Sequence, residues 1–419
     1  MSASSNAVLS APQALPPAPA TRASEPIPKP IRPLTVLIVV PTVDVGAADE
    51  GAVDIAAILA AAGHHPIVVS RGGRLESRLA QAGAEFVRLD MATRNPLAMA
   101  RNAAALRRLV RERGCDVVHA HGRAPAWSAY VAARIGGVPF LTSWYKGFRE
   151  QNALKHLYNG IMARGDRVIT VSDQIAELIV ERHGTPWERI SVIPAAIDFD
   201  RFDPAALTVE RINTVRRSWG IKGDTKVILV ASRMLRRKGH HVAVRAARRL
   251  KEMGLKDFLF VFAGEDQGRT RYAGELWDLV LATETADVVR LASPIADMPA
   301  AYGAATVLLS AAVQPEGLQR AILESLAMAR PVVVSDLAAG PDIVLAPPAV
   351  PEDRMTGLRF PAGDEAELAA ALIRLFSMPE SARRAIGRRG REWTLAHCDR
   401  ATVADQVLAI YASVAATTR

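Results

Sequence analysis

Two glutamates stand eight positions apart in QPEGLQRAILESLAMARPVVVSD: Glu316 and Glu324. Carboxylates in such apolar company either accept hydrogen bonds from a ligand or serve the fold. Pro315 and Gly317 punctuate the stretch, so the spacing predicts a helix starting at Gly317 or Leu318 and closed by Pro331, with Val332–Val334 as a short buried strand. At about 100° per residue, Leu318, Ile322, Ser325, Leu326, Met328 and Ala329 share one face, with Arg320 and Glu324 on the other. In a purely structural account, Glu316 complements the positive helix end. Arg320 and Glu324 then form a solvated i,i+4 pair of small value.

A second group is basic. ASRMLRRKG follows a strand-like run and precedes a helix-like one, bringing Arg233 and Lys238 to a turn. An Arg and a Lys there can neutralise two adjacent phosphates, beside a helix N-terminus that already favours phosphate. FAGED, with Gly264 and Glu265, and PEGLQRAILE are two further strand-to-helix turns. Together the three turns make a diphosphate clamp flanked by carboxylates. CDVVHAH ends in His119 and His121, which share a face if the strand runs through His121. We expect His121 to be the cleft residue; a structural role for either histidine competes with that reading. DFD, Asp198–Asp200, looks like a metal-binding Asp-x-Asp. It lies in a connector far in sequence from the basic turn, and a cationic clamp makes a divalent ion unnecessary. No metal or other cofactor is expected.

These turns need elements to hold them. From LTVLIVV onward, strand-like runs alternate with helix-like segments through CDVVHAH, PFLTSW and DRVITVS. The alternation predicts a doubly wound parallel sheet. ISVIPAAIDFDRFDP is irregular, and the pattern then restarts at TKVILVAS and runs through DFLFVFAGE, DVVRLAS, ATVLLSA and PVVVSD. The expected organisation is α/β throughout: residues 34–200 as one Rossmann-like domain and 205–399 as a second. A final helix, about 400–419, must pack on something, most simply back on the first domain. Sheets of this kind bind ligands at their carboxyl strand ends, so the two should face a shared cleft.

The chain has 419 residues, is 50% hydrophobic and carries a net charge of +9, with 44 arginines against 8 lysines. Such a balance suits an anionic partner. Nucleic acid is disfavoured, because no aromatics interleave with the basic runs and no finger or RNP-like pattern is present. No apolar run approaches the ~20 residues of a membrane span. Residues 1–33 are rich in Ala and Pro, unlike a signal peptide, and read as a disordered tail. Two cysteines without a CxxC fit a reducing cytoplasm. Arg101, Arg107, Arg108, Arg111 and Arg113 on one helix suggest reversible attachment to the acidic inner face of a membrane.

The ordered set of turns carries a resemblance. Glu316-GLQRAIL-Glu324, with ASRMLRRKGHH, VFAGE and DMPAAYGAATVLLSAAVQPEG before it and PVV after it, resembles the nucleotide-sugar half of the retaining glycosyltransferases of family 4, which have the GT-B fold. The PT-x-x-x-G loop, DVVHAHGRAPAWSAYVAAR and IPAAIDFDRFDP are similar to the family's first domain. The resemblance runs from about Leu34 to the C-terminus and is of the bacterial polysaccharide and lipopolysaccharide type. It implies metal-independent transfer of a sugar from a nucleotide diphosphate donor to a glycan or lipid-linked acceptor. Glu324 would take the ribose hydroxyls. Glu316 and the backbone N–H groups of Gly317 and Leu318 would hold the sugar, with Gly46, Gly264 and Glu265 lining the donor. Arg233 and Lys238 would stabilise the departing diphosphate, and the strand end at Arg290 to Ser293 would meet the base. The chain departs from the family at Gly46-Ala47-Ala48-Asp49, where two adjacent glycines and a Glu are usual, and at Tyr145-Lys146, where relatives often have a histidine. A same-fold nucleotide-sugar epimerase or phosphorylase remains an alternative, as does a non-catalytic anion- or nucleic-acid-binding protein. A G-x-G-x-x-G after the first strand is absent, which speaks against a dinucleotide-binding dehydrogenase.

Overall fold

A computed structural model of the chain describes residues 32–416, apart from 45, 149–151, 265–269, 293–294 and 318. The residues 1–31 of the expected tail, together with Glu265, Ser293 and Leu318, lie outside the described residues.

The first sheet has seven parallel strands: β1 (Thr35–Val39), β2 (His65–Ser70), β3 (Glu85–Arg88), β4 (Val117–Ala120), β5 (Phe140–Trp144), β6 (Arg167–Thr170) and β7 (Ile190–Val192). Their spatial order is β3-β2-β1-β4-β5-β6-β7. The second sheet has six: β8 (Lys226–Ala231), β9 (Phe258–Ala263), β10 (Val289–Ala292), β11 (Val307–Ser310), β12 (Val332–Ser335) and β13 (Gly357–Phe360). It is also parallel throughout, in the order β10-β9-β8-β11-β12-β13. Near-continuous Val/Ile/Leu/Phe runs such as TVLIV and FLFVFA form these strands because helices cover both faces of a parallel sheet. In each sheet the order reverses beside the first strand, between β1 and β4 and between β8 and β11. A crevice opens there for a ligand.

Two strands were not legible. The run ISV precedes a proline and reads as irregular, yet it closes the first sheet as β7 on the edge of β6. GLRF, with a leading glycine and an arginine, closes the second. Edge strands need only one hydrogen-bonded side, so their sequences are weakly constrained.

The chain returns to the first domain at its end. After the Glu380–Cys398 helix, the Ile197 N–H donates to the Cys398 carbonyl at 2.8 Å. The Arg400–Ala416 helix then buries Val403, Val407 and Tyr411 with Val36, Ile38 and Leu59 of the first domain. Both cysteines are buried and unpaired.

Candidate active site between the two sheets

The loops at the carboxyl ends of the two sheets abut. A Cβ on Gly317 would stand 2.0 Å from the Tyr145 carbonyl oxygen, and one on Gly147 would stand 2.5 Å from Pro315 Cβ. Only glycine permits either approach. Gln174 Nε2 donates to the Asp336 carbonyl at 2.8 Å, and the Asp173 N–H donates to Asp342 Oδ2 at 3.1 Å, further tying the domains. Arg320 reaches across the cleft to Glu50 Oε2 and Asp54 Oδ2, each at 3.1 Å.

The expected helix start is corrected. The helix is Arg320–Ala327 with Gln319 at its N-cap, so Glu316 stands in the preceding loop rather than at a helix end. Its backbone N–H donates to the Leu337 carbonyl at 3.0 Å. Glu316 is 6% exposed, and its carboxylate pairs with Arg237 and, at 3.1 Å, with Lys238 Nζ. The solvated Arg320–Glu324 pair is corrected too. Arg320 is committed to the first domain, while Glu324 Oε2 accepts a hydrogen bond from Tyr302 Oη at 2.8 Å. Desolvation raises the Glu324 carboxyl pKa, and the Tyr302 hydrogen bond works against that rise. Tyr302 is itself fully buried.

Lys238 closes a short 3₁₀ turn, Arg236–Lys238, and Gly239 leaves it at φ 74°. Glycine is required at 239: a Cβ would lie 1.6 Å from the Ala311 carbonyl oxygen at the end of β11. This contact presses the Lys238 turn against the Glu316 loop. Burial, reinforced by Arg237, Arg233 and Lys146, pushes the Lys238 pKa down to about 7. Glu316 is the carboxylate that lies against it, at 3.1 Å. Lys146 is pushed down as well, first by desolvation and then by Arg123, Arg237 and Arg233. Five cations from both domains thus feel one another in one cleft. A site built this way is charged for a polyanion.

Gly264 is packed closely against the Arg233 turn. A Cβ there would stand 2.0 Å from the Ser232 carbonyl oxygen and 3.2 Å from the Arg233 N, so the glycine lets the β9 turn support the Arg233 turn. Gly46 is extended, at φ 179°, and caps the Ala47–Ala61 helix. Asp49 in that helix accepts from Thr42 Oγ1 at 3.0 Å; burial raises its carboxyl pKa to about 6, and Arg233 is among the groups lowering it. The first-domain loop therefore borders the clamp through Asp49, three residues past the expected glycine. Arg290 is the second residue of the edge strand β10 and is exposed; a Cβ on Gly220 would stand 3.8 Å from its guanidinium.

His119 and His121 point to the same face, with ring centroids 4.2 Å apart. The His121 N–H pairs with the Val39 carbonyl at 2.8 Å, which extends the strand geometry one residue past β4. His119 is structural: Nδ1 pairs with Tyr411 Oη at 2.6 Å and Nε2 with Ser143 Oγ at 2.8 Å. His121 Nδ1 pairs with Tyr145 Oη at 2.9 Å, and His121 Nε2 is buried without a hydrogen-bond partner. His121, at the end of β4, stands at the first sheet's crevice. Asp198 of the DFD run pairs with Arg400 at 3.0 Å. Among the described residues no group of three or more His, Cys, Asp or Glu side chains is arranged to hold a metal.

Sequence reasoning missed Arg237, Tyr302, Arg123 and the cross-cleft role of Arg320, and treated Asp49 and Lys146 only as departures from a pattern. Arg237 had one available signal, its place next to Lys238. In a 3₁₀ turn successive side chains point about 120° apart, so adjacency does not say which one meets Glu316.

The fold and this clamp define a nucleotide-sugar-type GT-B architecture. The sequence profile of Glycosyltransferase Family 4 matches residues 50–201, and that of Glycosyl transferases group 1 matches residues 225–378. The chain belongs to the family 4, group 1 glycosyltransferases. It is 29% identical over 285 residues to the D-inositol 3-phosphate glycosyltransferase of Thermobifida fusca, covering 63% of this chain and 62% of that one. The corresponding protein of Nocardiopsis dassonvillei is 32% identical over 197 residues, 43% of this chain and 44% of its own. The chain thus aligns over less than two thirds of these relatives' lengths. A glycosyltransferase from Rickettsia africae ESF-5 superposes with TM-score 0.81 at 26% identity, covering 91% of this chain and 98% of that one. Anabaena HepE in complex with UDP shares the fold, with TM-score 0.77 at 18% identity over 91% of this chain and 100% of that one.

Proposed function

We propose that this protein is a retaining glycosyltransferase that moves a sugar from a nucleotide diphosphate sugar to an acceptor bearing an anionic group, such as a lipid-linked glycan precursor. The observation that carries the reading is the pairing of Arg237 and Lys238 with buried Glu316, with Arg233 beside Lys238 and with Lys146 and Arg123 approaching from the other domain. Charge grows on the departing diphosphate in the transition state, and preorganised cations stabilise it there more than in the ground state. Glu324 keeps one oxygen on Tyr302 and offers the other to the ribose. Glu316 holds the sugar and the clamp together. Lys146 and Arg123, the two first-domain cations at the cleft's midline, suit a phosphorylated acceptor.

Reversible attachment to an anionic membrane belongs to the same reading. Among the described residues no helix is long and apolar enough to cross a membrane. The Pro96–Glu112 helix exposes Arg101, Arg107, Arg108 and Arg111 beside Leu97, which is 73% exposed. Arg108 is spent on Glu112 and Arg113 on Glu85. Each remaining basic residue near an anionic surface contributes ~1 kcal/mol, screened by salt.

The test is release of nucleotide diphosphate from a panel of nucleotide sugars, with phosphorylated polyols and polyprenyl-phosphate glycans as acceptors, in excess EDTA. Acceptor-dependent release with an axial-to-axial or equatorial-to-equatorial product anomer by NMR supports the proposal. Loss of activity with chelator, restored by Mg²⁺, removes the metal-independent mechanism. Interconversion of the donor sugar without acceptor makes the protein an epimerase.

A further inference from the structure

The first turn of the Asp173–His183 helix, in the first domain, touches the Glu316 loop from two sides. On one side, a Cβ on Gly317 would stand 2.9 Å from Ile175 Cδ1, so Ile175 packs on the residue that follows Glu316. On the other, Gln174 Nε2 donates to the Asp336 carbonyl at 2.8 Å, and the next carbonyl, that of Leu337, accepts the Glu316 N–H at 3.0 Å. Asp173 adds a third tie, its N–H donating to Asp342 Oδ2 at 3.1 Å. The helix turn itself is well fixed. Its N-cap Ser172 is buried and accepts from the Ile175 N–H at 3.4 Å, and Ile175 is buried in the core with Val171 and Ile179.

We infer that Gln174 and Ile175 are positioning residues for Glu316: while the two domains are docked, this helix turn sets the backbone of the Glu316 loop and so directs its carboxylate at the transferred sugar. Residues 335–338 form a tight turn, closed by the Ala338 N–H on the Ser335 carbonyl at 3.0 Å. The peptide group between Asp336 and Leu337 is the middle one of that turn, the part that reorients between turn types. Gln174 holds its carbonyl from the other domain; Arg359 Nη2 lies 3.5 Å from the same oxygen, too far to fix it. The carbonyl one step on is the one that receives Glu316. Within its own domain the segment is tied by Ser335 Oγ to the Ala312 carbonyl at 2.7 Å and by the Ala362 N–H to Asp336 Oδ1 at 2.9 Å. Those bonds keep the segment folded when Gln174 lets go. What is lost is the orientation of the middle peptide.

The anchor matters once the clamp fills. In this structure the Glu316 carboxylate rests on Arg237 and Lys238. Both are cations of the proposed diphosphate clamp, and charge-assisted hydrogen bonds to phosphate compete for them. When a diphosphate takes those partners, the place of Glu316 depends on its backbone, held at Leu337 and at Gly317. A displaced carboxylate leaves the clamp able to bind but slows transfer, since reaction rates fall steeply with misplacement. Gln174 and Ile175 therefore act on turnover and not on nucleotide affinity. The inference rests on the proposed role of Glu316 at the sugar.

The test is site-resolved hydrogen exchange at the Glu316 amide in the full chain without ligand, read beside kinetics. Gln174→Met removes the donor at nearly constant volume, and Gln174→Lys returns a donor of similar reach. Gln174→Met should speed exchange at Glu316 severalfold, while amides of β8 and β11 and the melting temperature stay near wild type. It should lower kcat roughly 10- to 100-fold, with affinity for UDP, ADP or GDP, whichever binds the wild type, unchanged. Gln174→Lys should restore both readouts. Ile175→Val, which removes the atom facing Gly317, should shift both in the same direction as Gln174→Met. A Gln174→Met protein whose Glu316 amide exchanges at the wild-type rate would overturn the inference. So would a fall in nucleoside diphosphate affinity as large as the fall in kcat. If the exchange rates respond as expected but the wild type turns over no nucleotide sugar, the coupling of the helix turn to Glu316 stands and the proposed activity falls.

Discussion

The two crevices occupy equivalent places in sheets of nearly the same strand order, and they are furnished in opposite ways. At the second-domain crevice, the turn after β8 and the loop after β11 bring Arg237 and Lys238 to a buried carboxylate, with Arg233 close to Lys238. At the first-domain crevice, β4 and β5 end in neutral imidazoles and tyrosines wired by hydrogen bonds, with both histidines stripped of their basicity by burial. The scaffold supplies the place, and the side chains at two strand ends supply the chemistry. A charged crevice suits a leaving diphosphate, where electrostatic stabilisation grows during the reaction. A neutral crevice suits hydroxyl-bearing groups, where a correctly aimed donor discriminates without attracting charge. The cations that cross over, Lys146 and Arg123, blur the division at the cleft's midline.

The sharpest way to break this comparison is to remove charge from the second crevice. Lys238→Ala, Arg233→Ala and Arg237→Ala should each lower turnover about 10²–10³-fold with an unchanged circular dichroism spectrum, as for other positioned electrostatic donors. If all three remain near wild type while first-domain variants do not, the division of labour is inverted.

The glutamates sharpen it next. Glu316→Gln should slow transfer more than it weakens nucleotide diphosphate binding, since Glu316 organises the clamp. Glu324→Gln should weaken nucleotide diphosphate about tenfold, near 1.4 kcal/mol, the scale of one charged hydrogen bond. Calorimetry against turnover separates the two; identical profiles would make them one functional unit.

Charge at Lys238 also predicts a pH dependence. Its free-state pKa is about 7, held down by burial and by Arg237, Arg233 and Lys146. A bound diphosphate raises that value, so donor binding takes up a proton. Affinity for a nucleotide sugar, whose diphosphate does not titrate in this range, should be full below pH 7 and fall by up to about tenfold per pH unit above it. Lys238→Arg should flatten the profile, because guanidinium does not deprotonate. A wild-type profile level from pH 6 to 9 would show that Lys238 keeps its proton in the empty site.

The smallest effect concerns the seam between the crevices. Arg320→Ala breaks ion pairs to Glu50 and Asp54 that are still partly exposed, so stability should change by about 1 kcal/mol or less. The donor KM should rise a few-fold, because the two crevices lose a shared anchor. An unchanged KM would mean that the glycine contacts at Gly147 and Gly317 set the closure alone.

Much of this architecture is legible in the sequence. Apolar runs of strand length, alternating with helical segments, restarting once and separated by a proline-bounded connector, determine two parallel sheets, because buried parallel strands must be apolar on both faces. The same reading placed Glu316, Arg233 and Lys238 on strand-end turns, and those turns do meet. What the chain order left undecided was which neighbour a side chain chooses. Arg320 and Glu324 have the spacing of a helical pair, but one crosses to another domain and the other turns inward to Tyr302. Arg237 differs from Arg236 only by one step of a tight turn, yet it alone of the two finds Glu316. His119 and His121 are indistinguishable in sequence. One is closed off by a tyrosine 292 positions away, and the other is left with an open nitrogen. Periodicity is a local property, so sequence determines faces and turns. Pairing between charges, and the burial that shifts their proton affinities, depends on distances that exist only after two sheets and a returning helix have packed.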